Sequence, residues 1–139
     1  MKIIVYYVGK PRDAHANAMA QEFIRRSTRY ARCEMRETDP ARFDPWAKHP
    51  AATKVLLDPA GKSMDSGRFA KLVSQAEQEA RDLIFVIGPA RGLPEKWKEQ
   101  DSLLLSLSAM TMPHELARVV IAEQIYRAFT LLRGHPYPK

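Results

Sequence analysis

Leu103-Leu104-Leu105-Ser106-Leu107-Ser108-Ala109-Met110-Thr111-Met112-Pro113-His114 is a short apolar run that breaks off in a turn bearing Ser and Thr. Pro113 and His114 then open a long helix, predicted over 113–133. The proline stands where a first helical turn has no use for a backbone N–H. Leu116, Val119, Val120, Ile121, Ile125, Tyr126, Phe129, Leu131 and Leu132 make this helix apolar around most of its circumference. A surface helix of a small monomer is apolar along one stripe only. This one must be covered on several sides, and a chain of 139 residues has little left to cover it with. A second copy is the expected cover, so a homodimer is expected.

Upstream, apolar runs alternate with helical patterns. Residues 2–8 read as a strand closed by Gly9-Lys10-Pro11-Arg12, and residues 14–32 as a helix with Ala18, Met19, Phe23, Ile24 and Tyr30 on its apolar side. A weaker strand is predicted over 33–38, and a proline-bearing loop over 40–50 with a short turn at Trp46. Next come a strand over 53–58, a turn at Pro59-Ala60-Gly61-Lys62, and a helix over 65–80 capped by Asp65 or Ser66. A strand over 82–87, a short helix over 94–100 and a strand over 102–107 complete the pattern. Strands alternating with helices predict an α/β domain spanning 1–139, a mostly parallel sheet with helices on both faces. In such a sheet ligands settle beyond the carboxyl ends of the strands. Leu56 to Lys62, Ile87 to Gly92 and Leu107 to Met112 follow three of those ends. Glycine there lets a ligand approach the main chain, and free backbone groups among apolar side chains can hold a flat purine by its edge.

Composition narrows the class. Hydrophobic content of 45% and charged content of 27% are ordinary for a globular domain. No apolar run approaches a membrane span, and Met1 to Val8 reads as a buried strand, not a signal peptide. The single cysteine, Cys33, excludes an internal disulfide and a thiolate metal cluster, and a cytoplasmic protein is expected. A net charge of +6 suits a nucleic-acid partner. Gly88-Pro89-Ala90-Arg91-Gly92 is no dinucleotide fingerprint, and a phosphate loop and a Gly-x-Ser-x-Gly elbow are both absent. His15, His49, His114 and His135 have no i, i+4 pairing, so no metal site is expected. A cofactor carrying an already activated group would ask least of such a side-chain set.

Several separated motifs agree in order and spacing with one family. Leu57-Asp58-Pro59-x-Gly61-Lys62 is followed by Phe85-x-Ile87-Gly88-x-x-x-Gly92-Leu93 and by Leu105-Ser106-Leu107-Ser108-x-Met110-Thr111-x-Pro113-His114. Arg118-Val119-x-x-x-Glu123-Gln124-x-Tyr126-Arg127-Ala128 and Pro136-Tyr137 close the set. With the opening strand ending in Val8-Gly9-Lys10, the chain resembles the RlmH family along its whole length. These are small SPOUT-class methyltransferases of large-subunit ribosomal RNA. The resemblance implies a C-terminal deep trefoil knot, an exception to ordinary topology rules. It implies a homodimer, S-adenosylmethionine as methyl donor, and methylation at N3 of a pseudouridine in helix 69 of 23S rRNA within the assembled ribosome. The donor-binding positions it implies are Leu57, Gly88, Leu107, Ser108, Ala109, Met110, Thr111 and Met112. Two departures stand out. Pro89 replaces a second glycine of the family, and Tyr137 is followed by Pro138 and Lys139 where relatives commonly have a histidine. The rival readings are a non-catalytic RNA- or ribosome-binding knotted module, and an unknotted nucleotide-binding regulator of flavodoxin-like topology.

Methyl transfer from a sulfonium is an in-line displacement that depends on alignment, and the proton on the target nitrogen must leave. His114, Arg127, Glu123 and Tyr137 are the candidate catalytic residues. His114 stands at a helix N-terminus, where the dipole disfavours its charged form, so it can accept a proton or only cap and pack. Glu123 and Arg127 are four apart, a functional pair or a plain helix pair worth ~0.3–0.5 kcal/mol. Tyr137 lies on a tail that a partner subunit or RNA can order, or that frays. Lys10, Arg12 and Arg91 are the expected RNA contacts near the site. Arg25, Arg29, Arg32 and Arg36, with Arg26 beside them, would form a guanidinium stripe if the first helix extends that far, tracking phosphates or simply facing solvent. Trp46 and Trp97 can stack a base or pack the core.

Overall fold

A computed structural model describes residues 1–137 of the chain; Pro138 and Lys139 lie outside the described residues. The elements run β1 (Lys2–Val8), α1 (Ala14–Ser27), β2 (Arg32–Thr38), α2 (Pro45–Lys48) and β3 (Thr53–Ser63), then α3 (Ser66–Gln78), β4 (Leu83–Ile87), α4 (Glu95–Lys98), β5 (Leu103–Ser106) and α5 (His114–Arg133). The strands form one sheet in the order β2-β1-β4-β3-β5, with every pairing parallel. This is the α/β architecture expected from the alternating pattern.

Parallel sheets are buried on both faces, and their strands are apolar throughout for that reason. The pleat sorts the side chains. Ile3, Val5, Leu83, Phe85 and Val55 enter the larger core beneath α1, α3 and α5. Ile4, Tyr6, Ile84, Val86 and Leu56 face the other way, where Leu93 and Trp97 cover them with Phe43 and Trp46. Trp97 is therefore a core residue, as one of its two readings held. Trp46 packs beside it, with its indole N–H donated to the Asp101 carbonyl at 3.1 Å.

Three local expectations are corrected. The first helix ends at Ser27, not at residue 32. Ser27 is fully buried and its hydroxyl donates to the Phe23 carbonyl, while the Thr28 hydroxyl donates to that of Arg25. The chain must then turn back so that Arg32 can pair beside Lys2 in the sheet. The guanidinium stripe therefore does not exist. Arg25 and Arg26 are held by Glu22 on α1, Arg29 lies over the Tyr30 ring, and Arg32 and Arg36 flank Glu34 on β2.

The second correction concerns Pro59 to Lys62, which do not end the third strand. β3 continues to Ser63, with a shift of register between Leu57 and Lys62, both of which stand opposite Leu105. β5 lies alongside and offers partners before and after the irregularity, so the turn residues make a bulge.

The third correction concerns α5. Ala117, Arg118, Ile121, Ala122, Ile125, Ala128 and Phe129 are buried within the single chain, with α1 and α3 packed against the helix. Most of the apolar circumference is thus covered without a second copy. Leu116 and Leu131 remain 46% exposed, with Met19 on the neighbouring α1 at 55%. α5 stops where Gly134 adopts a left-handed φ of 67° and lets the His135 N–H return to the Thr130 carbonyl.

Candidate active site

The parallel register puts Leu57, Ile87 and Leu105 side by side, at the carboxyl ends of β4 and β5 and where the regular part of β3 gives way to its bulge. The segments leaving these ends, with the first turn of α5, enclose a cavity of about 420 Å³. That is the size of a small-molecule site, and the place is where an open parallel sheet offers one. Leu57, Ile87, Leu105, Leu107 and Met112 give it apolar walls. Gly88 is needed on one side, since a Cβ there would come within 2.8 Å of the buried Leu93 side chain. Pro89 also lines the cavity, and its carbonyl accepts the Gly92 N–H at 2.8 Å, so the turn closes although residue 89 has no N–H.

The segment 107–112 is shaped by its own serines. The Ser106 hydroxyl donates to the Ser108 carbonyl, and the Ser108 hydroxyl accepts the Met110 N–H, both at 3.0 Å. Leu107, Ser108, Met110, Thr111 and Met112 all line the cavity, and Met110 stands 80% exposed at its lip. Ala109 is exposed and is not among the lining residues. His114, the first residue of α5, is half-buried and closes one end.

The other three catalytic candidates lie elsewhere. The Glu123 carboxylate receives Arg127 at 2.7 Å, the Tyr137 hydroxyl at 2.5 Å and the Gln124 amide at 3.1 Å. Tyr137 packs its ring 4.8 Å from that of Tyr126. Burial first, and the Glu123 bond second, push the Tyr137 phenol up to about 12. The tail is thus ordered by its own chain at this residue. Glu123 and His114 are nine residues apart on one helix, which is about 13 Å of rise. A single chain brings His114 to the cavity and leaves Glu123, Arg127 and Tyr137 as a separate cluster.

Lys10 and Arg12 are exposed on the loop between β1 and α1. Glu115 ties that loop to α5 by accepting the N–H groups of Arg12 at 2.6 Å and Asp13 at 3.1 Å, which also hold its carboxyl below the usual range. The loop is thereby held against the first turn of α5, which begins at His114. Arg91 is exposed on the 88–92 loop, whose Gly88, Pro89, Ala90 and Gly92 line the cavity. Cys33 is buried and its thiol is pushed up to about 12, so it is inert.

Two residues take roles that the sequence reading did not assign. Asp58 lines the cavity and receives an ion pair from Lys98 at 2.8 Å. Arg118 is 1% exposed, with its guanidinium 3.7 Å from the Tyr7 ring centroid and one N–H donated to Asn17 at 2.8 Å. Its Nε has no partner among the described residues. A single cation between Ala117 and Val119 on an apolar helix was the available signal.

Comparison with known proteins gives this geometry a family. The model described as "Predicted SPOUT methyltransferase" matches residues 1–138. A protein of Solibacter usitatus named "Ribosomal RNA large subunit methyltransferase H" is 59% identical over 137 residues, covering 99% of each chain. A Koribacter versatilis protein of the same name is 35% identical, covering 99% of this chain and 97% of its own. The chain belongs to the SPOUT methyltransferase family, in its RlmH branch.

The structure titled "The structure of a probable methylase family protein from Haemophilus influenzae Rd KW20" has the same fold, with a TM-score of 0.64 at 10% identity over 99% of this chain and 70% of its own. SPOUT methyltransferases generally use S-adenosylmethionine. The cavity's chemistry fits that donor: apolar walls for a flat base, main chain of the 88–92 and 107–112 segments along its lining, and the Asp58 carboxylate for a cationic ligand. Among the described residues no His, Cys, Asp and Glu group could hold a metal ion, and no helix is long and apolar enough to cross a membrane.

Proposed function

We propose that this protein methylates large-subunit ribosomal RNA, taking the methyl group from S-adenosylmethionine and placing it on N3 of a pseudouridine in helix 69 of 23S rRNA. The observation that carries the reading is the convergence of Leu57, Gly88 and the 107–112 segment on one cavity. The name shared by relatives of nearly equal length supports the substrate. The reading takes residues 1–139 as one cytoplasmic domain, with the family's trefoil knot in its C-terminal segment and assembled ribosomes as the target.

The bound donor supplies an activated methyl group, so the chain's tasks are alignment and removal of a proton. Leu57, Gly88, Leu107, Ser108, Met110, Thr111 and Met112 hold the donor. His114 is the residue placed to accept the N3 proton as the N–C bond forms. Lys10, Arg12 and Arg91 hold phosphates around the mouth. The protein acts as a homodimer, since Glu123, Arg127 and Tyr137 stand too far along α5 to serve the cavity of their own chain. They serve the partner's cavity, where Arg127 can stabilise the developing anion on the base.

Calorimetry with S-adenosylmethionine, and mass mapping of rRNA from cells lacking the gene, test the reading. Donor binding together with loss of one methyl group on helix 69, restored by the gene, is the expected result. No binding at millimolar donor would favour the non-catalytic RNA-binding module.

A further inference from the structure

Of the described residues that line the cavity, Asp58 is the only carboxylate, and none is a lysine or an arginine. Its side chain is 12% exposed. One oxygen takes the Lys98 ammonium and the other takes the Ala60 N–H, each at 2.8 Å. Lys98 approaches from α4 and is not a lining residue. These two partners, the lysine first, hold the Asp58 carboxyl below the usual carboxylate range. A fixed negative charge therefore stands in the irregularity of β3, in a poorly hydrated wall where charge acts more strongly than on an open surface.

We infer that Asp58 reads the positive charge of the methyl donor and so makes the cavity prefer the donor over its demethylated product. The inference rests on the reading of this cavity as the donor site. The two ligands share their base, sugar and amino-acid arm and differ by one methyl group and one positive charge. Apolar walls and backbone groups contact both nearly equally. A carboxylate in the wall does not: it attracts the sulfonium and gains nothing from the neutral thioether. The consequence is release of product once the methyl group has left. Lys98 anchors the carboxylate and moderates its charge.

The test is calorimetry of S-adenosylmethionine and S-adenosylhomocysteine on the full chain, with Asp58→Asn and Lys98→Met beside the wild type. In Asp58→Asn the donor should weaken about tenfold and the product less than about threefold, a loss of preference on the scale of one screened charge pair. Lys98→Met breaks the same ion pair but keeps the carboxylate and removes the cation that offsets it, so the preference should widen. Equal weakening of both ligands in Asp58→Asn would overturn the inference, because it would mark Asp58 as a contact to a shared group. Loss of preference in both variants would also overturn it, by showing that the ion pair acts through shape. If melting shows that Asp58→Asn is unfolded, Lys98→Met decides alone: a widened preference supports the inference, and an unchanged or narrowed one overturns it. A wild-type protein that binds neither ligand is a separate failure, that of the donor-site reading itself.

Discussion

Gly61 has no room for a side chain. A Cβ there would lie 2.6 Å from the Leu104 carbonyl carbon, against backbone that cannot rotate away. Gly61→Ala should destabilise the protein by about 1–3 kcal/mol, the usual cost of overpacking, read as a lower urea midpoint. An unchanged midpoint would mean that the β3 bulge is soft. Tyr137 offers a pH signature. Its phenol is raised to about 12 from an ordinary value of 10, so the neutral form is favoured in the folded chain. The stability this supplies is fully present below pH 10 and is lost as the pH rises towards 12. Ultraviolet titration should show two late tyrosines, Tyr137 and the buried Tyr6, and Glu123→Gln should bring one of them earlier by removing the carboxylate beside Tyr137. These values belong to tertiary surroundings. Sequence could place Glu123 beside Arg127 by helical spacing, but not Tyr137 ten residues beyond the arginine.

At the scale of elements, sequence periodicity located all five strands and four of the five helices, reading the one-turn α2 as a turn within a loop, and it erred where tertiary partners decide the boundary. The helical spacing of the arginines runs on past Ser27 because arginine is a good helix former and its exposed positions carry no hydrophobic period to mark the boundary. The sheet settled the matter by claiming Arg32 for β2. Likewise Pro59 and Gly61 carry turn chemistry, and only the neighbouring β5 turns that chemistry into a bulge. Arg118 shows the same limit within α5. It joins that helix to Tyr7 on β1 and Asn17 on α1, with no carboxylate partner among the described residues. Its long stem fills space while its charge is poorly compensated. Arg118→Met should therefore leave stability unchanged or raised, because an apolar chain of similar length removes an unpaired buried donor. Arg118→Ala should cost about 2–4 kcal/mol, since a cavity opens where the stem packed. Thermal melts of the two variants separate packing from charge, and equal losses in both would show that the guanidinium itself stabilises the junction.

For the whole molecule, surface charge and oligomeric state are the open variables. Arg12 and Arg91 stand on two loops near one cavity mouth. Neutralising both should weaken RNA binding and flatten its salt dependence by ~0.9 in log–log slope for each phosphate that is no longer neutralised. An unchanged slope would take both loops off the RNA surface. Three of the exposed large apolar side chains, Met19, Leu116 and Leu131, lie on the packed pair α1 and α5. Light scattering at micromolar concentration should give a dimer, and Leu116→Glu with Leu131→Glu should shift it to monomer. A monomeric wild type would leave Glu123, Arg127 and Tyr137 without a cavity to serve.

The sequence by itself determined the alternation of strands and helices, the burial of the sheet on both faces, and the motifs at three strand ends. Each of these is a local property, carried by hydrophobic period, turn residues and spacing along the chain. Only the tertiary structure decided that those three segments close on one cavity, that α1 and α3 cover most of α5, that Asp58 lines the cavity and that Arg118 is buried. Such facts depend on residues far apart in the chain meeting in space. Parallel pairing sets which strand tips are neighbours, and no local pattern encodes the order β2-β1-β4-β3-β5.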